Sequence, residues 1–198
     1  MKANETAMIL IEFQHEFCSP GGKLHELVQG EMVRNQTLAN AEYLLTRGRE
    51  KGCLIIHCPF ILNEEWVQEH ACRGILAGIL ENRMFAPSTW GQMIVDEVAP
   101  KESDLLLVNK SMLSAFSHTD LQEILQKNGI RNLIVAGFLT NVCAQATAMS
   151  AYDLGYQTCM ALDACGAATE SIQKYVEENI PALLGTPWKV REILEEIS

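Results

Sequence analysis

The chain has 198 residues, of which 48% are hydrophobic and 20% charged, and its formal net charge is −10 at pH 7. This composition excludes a disordered chain, which would be poor in apolar residues. The acidic balance, without a cluster of lysine and arginine, argues against a nucleic-acid partner. At this length we expect a single domain that spans residues 1–198 and buries a sizeable core.

The cysteines indicate the cellular compartment. The seven are Cys18, Cys53, Cys58, Cys72, Cys143, Cys159 and Cys165. Their odd number and irregular spacing are unlike a secreted disulfide framework. The polar N-terminus has no apolar segment of signal-peptide length, and no apolar run approaches the ~18 residues of a membrane span. We therefore expect a cytoplasmic protein with reduced cysteines and no membrane partner, in which most cysteines pack as small hydrophobic residues.

Short apolar runs alternate with helical patterns along the chain. Continuous apolar runs, typical of strands buried on both faces of a parallel sheet, occupy residues 8–11, 53–56, 105–108, 133–136 and 158–162. Helical periodicity lies between them over residues 33–48, 119–127 and 141–154. This alternation predicts an α/β fold with crossover helices. The irregular stretch 63–100 fits equally well a lid near a substrate and a helix with a surface loop.

Reactive side chains follow three of these runs. Glu12 follows the first, Lys110 the third and Cys143 the fourth. Because ligands bind outside the carboxyl ends of parallel strands, we expect the carboxylate, ammonium and thiol to meet at one edge. Cys143 also begins a predicted helix, with Thr140 or Asn141 as its N-cap, where the helix terminus would stabilise a thiolate. Position alone leaves open a packed Cys143 and a purely structural ion pair between Glu12 and Lys110.

At these residues the sequence resembles the isochorismatase-like cysteine hydrolases, a family that includes nicotinamidases, carbamoylsarcosine and ureidoacrylate amidohydrolases, and isochorismatase. The resemblance covers most of the chain and rests on residues 11–17, 20–22, 110, 114–116, 119, 137–143, 147–148, 151, 155–156 and 163–164. It implies a three-layer αβα fold, with roughly six parallel strands and helices on both faces of the sheet. It also implies a catalytic triad, carried here by Glu12, Lys110 and Cys143.

The resemblance further implies hydrolysis of a C–N bond without a cofactor. The thiolate of Cys143 would attack a small-molecule amide, imide or carbamoyl compound and form a thioester, with Glu12 as the base. The N–H groups of Leu139 and Cys143 would hold the oxyanion, and a cis peptide bond is expected between Phe138 and Leu139. The charge of Lys110 is expected to lower the pKa of the thiol.

The sequence departs from the family pattern at two points. The acid is Glu12, where the family normally has Asp, and a side chain one methylene longer leaves open whether catalysis, or the usual substrate, is retained. The Asp-x-His motif that holds a metal ion in nicotinamidases is missing after the second run, which ends in His57-Cys58-Pro59-Phe60. His70 and His118 show no ligand spacing. We therefore predict no metal and disfavour nicotinamidase activity.

Substrate contacts and assembly are also expected. Phe17, His57, Trp90 and Phe116 are candidate substrate-binding residues, although His57 also fits a hydrogen-bonded histidine at a strand end. The resemblance implies a homo-oligomer, a dimer or larger. The apolar run 75–80 fits either its interface or a core helix.

Other functions stay open at this point. An isochorismatase-type enzyme would cleave a vinyl ether, and the cysteine position there need not hold a nucleophile. A family member with altered or lost catalysis would instead serve as a binding protein, an interpretation motivated by Glu12. A nucleotide-binding domain is disfavoured because Gly21-Gly22 fits neither the Gly-x-Gly-x-x-Gly nor the P-loop pattern.

Overall fold

The computed structural model describes residues 1–70 and 73–198, with the side chain of His70 excepted. The expectations for Cys72 and for the His70 side chain therefore lie outside the described residues. Within the described part of the chain, no helix has the length and apolar character needed to cross a membrane.

Five strands of the described chain form one parallel sheet in the order β3-β2-β1-β4-β5. The strands are β1 (Thr6–Ile11), β2 (Leu54–Cys58), β3 (Leu105–Leu106), β4 (Asn132–Phe138) and β5 (Gln157–Gly166). At its carboxyl end, β1 places Ile11 opposite Cys58 of β2 and Gly137 of β4. The two central strands, β1 and β4, are buried along their whole length, which explains their continuous apolar sequences.

The sheet differs from expectation at both edges. The third apolar run forms only a two-residue edge strand, and Leu105 and Leu106 are 37% and 49% exposed because β3 pairs with β2 alone. The resemblance implied roughly six strands, whereas the described residues form five. Residues 186–189 lie beside β5, where the Leu162 N–H donates to the Trp188 oxygen at 2.9 Å. Pro187 has no N–H with which to extend this contact into a ladder.

Helices cover both faces of the sheet, which confirms the three-layer αβα architecture. One face carries α2 (His25–Arg34), α3 (Thr37–Lys51) and α9 (Val190–Glu195). The other carries α6 (Leu121–Lys127), α7 (Gln145–Asp153) and α8 (Glu170–Leu184). The shorter helices are α1 (His15–Cys18), α4 (Glu64–His70) and α5 (Gly74–Glu81).

Strand alternation divides the core between these two faces. Met8 and Leu10 of β1 pack on the α3 face, whereas Ile9 and Ile11 pack on the α7 face. Gly48 lets α3 lie close to the sheet, because a Cβ atom there would fall 2.3 Å from the sulfur of Met8. The helix predicted from residue 33 begins at residue 37, since Gln36 adopts a left-handed conformation (φ 53°) between α2 and α3.

The described residues of the irregular stretch 63–100 form short helices and loops. It contains α4 and α5, followed by 3-10 turns at Trp90–Gln92 and Asp96–Val98. The description as helix and surface loop therefore fits its local structure.

Candidate active site

The structure brings Glu12, Lys110 and Cys143 together at the carboxyl edge of the sheet. The ammonium of Lys110 donates hydrogen bonds to the Glu12 carboxylate and, at 2.8 Å, to the Met112 oxygen. The same carboxylate lies close enough to Cys143 to raise the pKa of its thiol. All three are buried, with 2% of Glu12, 0% of Lys110 and 5% of Cys143 exposed. One carboxylate therefore bonds an ammonium group and acts on a thiol.

The backbone at Glu12 ends β1 with a sharp turn. Glu12 has a left-handed conformation (φ 58°), which is uncommon for a residue with a side chain. Its N–H donates to the Cys58 oxygen at 3.2 Å, and its own oxygen accepts from the Gln14 N–H at 2.7 Å. Hydrogen bonds on both sides thus hold the residue that carries the carboxylate.

The strands that lead to the carboxylate and the thiol touch through their backbones. At Gly137, where φ is 126°, an added Cβ atom would lie 1.9 Å from the Ile11 oxygen. Only glycine avoids this collision and tolerates this conformation. The missing side chain therefore sets the spacing between the end of β1 and the end of β4.

Cys143 lies in a π-helical turn, Thr140–Ala144, that leads directly into α7. The predicted N-cap at Thr140 or Asn141 is wrong, because the capping position falls on Leu139 and no side chain caps this turn. The Thr140 hydroxyl instead donates to Gln173 of α8 at 2.7 Å.

Leu139 places a backbone N–H near the sulfur. The peptide bond between Phe138 and Leu139 is cis. The Leu139 N–H lies close enough to the Cys143 sulfur to lower the pKa of the thiol. A backbone N–H at this position can stabilise negative charge that develops on or next to the sulfur.

The surroundings of Cys143 favour the neutral thiol. Burial raises the pKa of the thiol well above its ordinary value, and the Glu12 carboxylate raises it further. The Lys110 charge and the Leu139 N–H lower the pKa without offsetting these effects. The Lys110 charge therefore lowers the thiol pKa as expected, but the cost of removing a charged sulfur from water outweighs it and keeps the net pKa high.

Lys110 keeps its charge in this site. Burial lowers its pKa, but the Glu12 charge and the neighbouring Cys143 raise it to a net value above the ordinary one for lysine. The resting site is therefore a neutral thiol beside an ion pair.

A cavity of about 210 Å³ opens next to Glu12 and Cys143. The apolar part of its wall near α1 and α2 is formed by Phe17, Leu24 and Leu27. The part on and after α5 is formed by Ile75, Gly78, Ile79, Met84 and Phe85. The part beyond the strand ends is formed by Leu113, Leu139 and Val142. Among the described residues, polar side chains enter this wall only from Glu12 and Cys143.

Comparison with known proteins places this fold and site in a family. The model of the isochorismatase domain matches residues 6–189 of the chain. The chain belongs to the isochorismatase family of hydrolases.

Solved structures share the fold of this isochorismatase-family hydrolase. A cysteine hydrolase from Pseudomonas syringae pv. phaseolicola is 21% identical, with a TM-score of 0.85 over 98% of this chain and 93% of that chain. An isochorismatase family protein from Desulfovibrio vulgaris is 24% identical, with a TM-score of 0.82 over 96% and 97%. An N-carbamoylsarcosine amidase from Thermoplasma acidophilum is 21% identical, with a TM-score of 0.74 over 96% of both chains.

Of the four expected substrate-binding residues in this isochorismatase-family hydrolase, Phe17 lines the cavity. His57 faces α3, because strand alternation places it on the side of β2 opposite to Cys58, and its Nε2 lies 3.2 Å from an Asp104 oxygen.

The other two aromatic candidates pack elsewhere. Trp90 stacks on His15 with ring centroids 4.5 Å apart, and Phe116 packs against Tyr156 at 6.2 Å. The structure therefore does not bring His57, Trp90 or Phe116 to the cavity wall.

The contribution of α5 to the cavity was missed from the sequence. Ile75, Gly78 and Ile79 have the i, i+3, i+4 spacing of one helix face, and all three line the cavity. The spacing marks a shared face but does not say what that face contacts. The run 75–80 was accordingly expected in an interface or in the core.

Glu16 was also missed, and it connects two parts of the cavity wall. Its buried carboxylate accepts hydrogen bonds from the Lys23 N–H at 3.2 Å and from the Phe85 N–H at 3.1 Å. The Glu16 side chain thus holds Phe85 directly and Leu24 through its neighbour Lys23, and both Leu24 and Phe85 line the cavity.

The described residues include no group of three or more His, Cys, Asp or Glu side chains that could hold a metal ion. The chemistry available from the described residues is that of a thiol, a carboxylate and an ammonium group beside an apolar cavity.

Proposed function

We propose that this isochorismatase-family hydrolase cleaves the C–N bond of a small amide, imide or carbamoyl compound, with Cys143 as the nucleophile. The proposal rests on the position of Glu12 and Cys143 in the wall of one cavity, where the Glu12 carboxylate is bonded to the Lys110 ammonium and lies close enough to raise the pKa of the thiol. A base beside a nucleophile that opens onto a cavity is the arrangement that covalent catalysis needs.

The reaction begins from the neutral thiol. As the sulfur attacks the carbonyl carbon, Glu12 takes the thiol proton, so that a free thiolate is never needed at neutral pH. The Leu139 N–H stabilises the developing oxyanion. Glu12 then returns the proton to the leaving nitrogen, the C–N bond breaks and a thioester remains on Cys143. Water, deprotonated by Glu12, hydrolyses the thioester and releases the acid.

The geometry supports Glu12 as a functional substitute for the usual Asp. Its carboxylate bonds the ammonium of Lys110 and lines the same cavity as the thiol of Cys143. Lys110 stays protonated and holds the carboxylate in place through the catalytic cycle, in contact with the proton acceptor but outside the cavity wall.

The test is a panel of small amides, imides and N-carbamoyl compounds assayed for released ammonia or amine. We expect Cys143→Ala to lower turnover by at least about 10³-fold, and intact-protein mass spectrometry of the wild type to show an acylated Cys143. Cys159→Ala is the matched control, because Cys159 is another buried thiol, in β5. Turnover retained by Cys143→Ala would rule out the covalent mechanism. Specific binding without turnover by the wild type would favour a binding protein.

A further inference from the structure

We propose that the substrate of this site carries no anionic group and has an extended hydrocarbon acyl group that lies along α5 and ends against Leu27 and Ile75. This inference rests on the proposed function for the position of the reacting carbonyl at Cys143. The charge and shape of the acyl group are inferred from the cavity wall alone.

The charges around the cavity exclude a substrate carboxylate. Glu12 contributes a negative charge to the wall, and the described wall contains no cationic side chain. The buried ammonium of Lys110 is already bound to the Glu12 carboxylate and the Met112 oxygen. A second carboxylate in the cavity would lose its water without gaining a partner, and it would lie close to a like charge.

The shape of the wall favours a single hydrocarbon arm. At about 210 Å³ the cavity is smaller than the ~300–1,000 Å³ that is usual for drug-sized ligands. Along α5, a Cβ atom added at Gly78 would meet no other atom within 4 Å. Because Gly78 shares its helix face with Ile75 and Ile79, the missing side chain leaves a groove beside the cavity.

Apolar side chains also surround the opening of the cavity. Leu27 of α2 and Ile75 of α5 line the cavity and are nevertheless 44% and 46% exposed. A hydrocarbon chain that runs from Cys143 along α5 would remove both from water, which is the favourable term in apolar recognition.

The first experiment compares ammonia release from acetamide, butanamide, hexanamide and adipamate, the hexanamide analogue with a terminal carboxylate. We expect kcat/KM to rise about fourfold for each added methylene. Adipamate is expected to fall to the level of acetamide or below. A flat series, or a preference for adipamate over hexanamide, would overturn the proposal.

The second experiment fills the groove. We expect Gly78→Leu to lower the hexanamide-to-acetamide ratio of kcat/KM by about tenfold or more, because the new side chain occupies the volume of several methylenes. Gly30→Leu is the control, since Gly30 lies within α2, is exposed and also has no atom within 4 Å of an added Cβ. Leucine is the better helix former in both places, so folding is expected to be preserved. An unchanged ratio in Gly78→Leu would contradict the proposal.

Binding measurements separate this inference from the proposed reaction. Calorimetry on Cys143→Ala, which retains the apolar side chains of the wall, is expected to give dissociation constants that fall in the order acetamide, butanamide, hexanamide. This order, combined with no hydrolysis by the wild type, would reject the proposed function and support the binding preference. Cys143-dependent hydrolysis without any chain-length preference would reject this inference alone. Neither binding nor hydrolysis would reject both.

Discussion

At the scale of single residues, the protonation state of Cys143 depends on what surrounds the sulfur. Burial and the Glu12 charge raise the pKa of its thiol, and together they outweigh Lys110 and the Leu139 N–H. In the proposed mechanism, proton transfer to Glu12 therefore accompanies the attack on the carbonyl. The energetic role of Lys110 is to keep a carboxylate charged inside the protein, where an unpaired one would be costly.

The raised thiol pKa gives a testable pH dependence. We expect the rate at which iodoacetamide alkylates Cys143 to keep rising beyond about pH 9, the region of an ordinary thiol, without a plateau near neutrality. In Glu12→Gln the rise should begin at lower pH, because one of the two causes that raise the pKa is gone. Peptide mass spectrometry after timed labelling measures both rates. A plateau below pH 8 in the wild type would show that the thiol is ionised at rest.

Among the elements, α5 and the segment around α1 build a cavity wall that the strands do not provide. Glu16 holds these parts together through the N–H groups of Lys23 and Phe85. The wall is therefore fixed by hydrogen bonds from a buried carboxylate as well as by apolar packing.

Removing this carboxylate should affect substrate binding more than chemistry. We expect Glu16→Leu to raise KM with a small change in kcat, and to destabilise the fold by about 1–3 kcal/mol for each N–H left without a partner. Glu16→Gln, which keeps an acceptor oxygen, should recover part of both losses. Steady-state kinetics and urea unfolding measure the effects, with the exposed Glu26→Leu as control. A fall in kcat at constant KM would instead assign Glu16 to the chemical step.

The strands that can be predicted correctly from the sequence are those buried on both faces of the sheet. The strands β1 and β4 are buried on both faces, so their apolar runs are continuous and their ends place Glu12 and Cys143 correctly at one edge. The edge strand β3 has neighbours on one side only, and its apolar run overstated its length and burial. An apolar run shows only that a segment is hydrophobic. Its position at the edge or in the centre of the sheet depends on which strands it pairs with, and the run does not show this.

The parts of the site that could not be predicted depend on contacts between distant segments. His57 and Cys58 are adjacent in sequence, yet they face opposite sides of β2, and the sequence does not say which side carries the site. The thiol pKa depends on desolvation, which is set by every element packed around Cys143. The cavity beside α5 likewise depends on contacts between distant segments. The apolar face of α5 is visible in the sequence, but the cavity is not.

At the scale of the whole molecule, a buried polar cluster links β2, α3 and the loop before β3. Asp104 accepts hydrogen bonds from Arg49 of α3, from the Lys101 N–H at 2.9 Å and from His57. Burial raises the pKa of Asp104, but the hydrogen bonds from Arg49, Lys101 and His57 bring it down to about 2. Burial also lowers the pKa of His57, more than its bond to Asp104 raises it.

Both shifts make the folded protein sensitive to acid. As pH falls below about 6.5, the unfolded chain binds a proton at His57 before the folded chain does, so stability decreases. A second loss follows between about pH 4 and pH 2, where the unfolded chain protonates Asp104 first. We expect each group to contribute at most about 1.4 kcal/mol per pH unit within its range.

Urea unfolding at several pH values between 7.5 and 3 measures these losses. His57→Gln should flatten the upper part of the profile, and Asp104→Asn the lower part. A profile unchanged by either substitution would contradict the assignment. The homo-oligomer implied by the resemblance stays a prediction, which sedimentation of the wild type would check in the same buffers.

The close approach at Gly137 has a consequence for how such a protein can be redesigned. A methyl group there would collide with the backbone of β1, so the spacing between the strand ends that carry Glu12 and Cys143 tolerates little variation. The apolar wall is carried by helices and loops outside the sheet, and at Gly78 it has free space. Mutational libraries directed at that wall can therefore alter substrate preference while the catalytic chemistry stays intact.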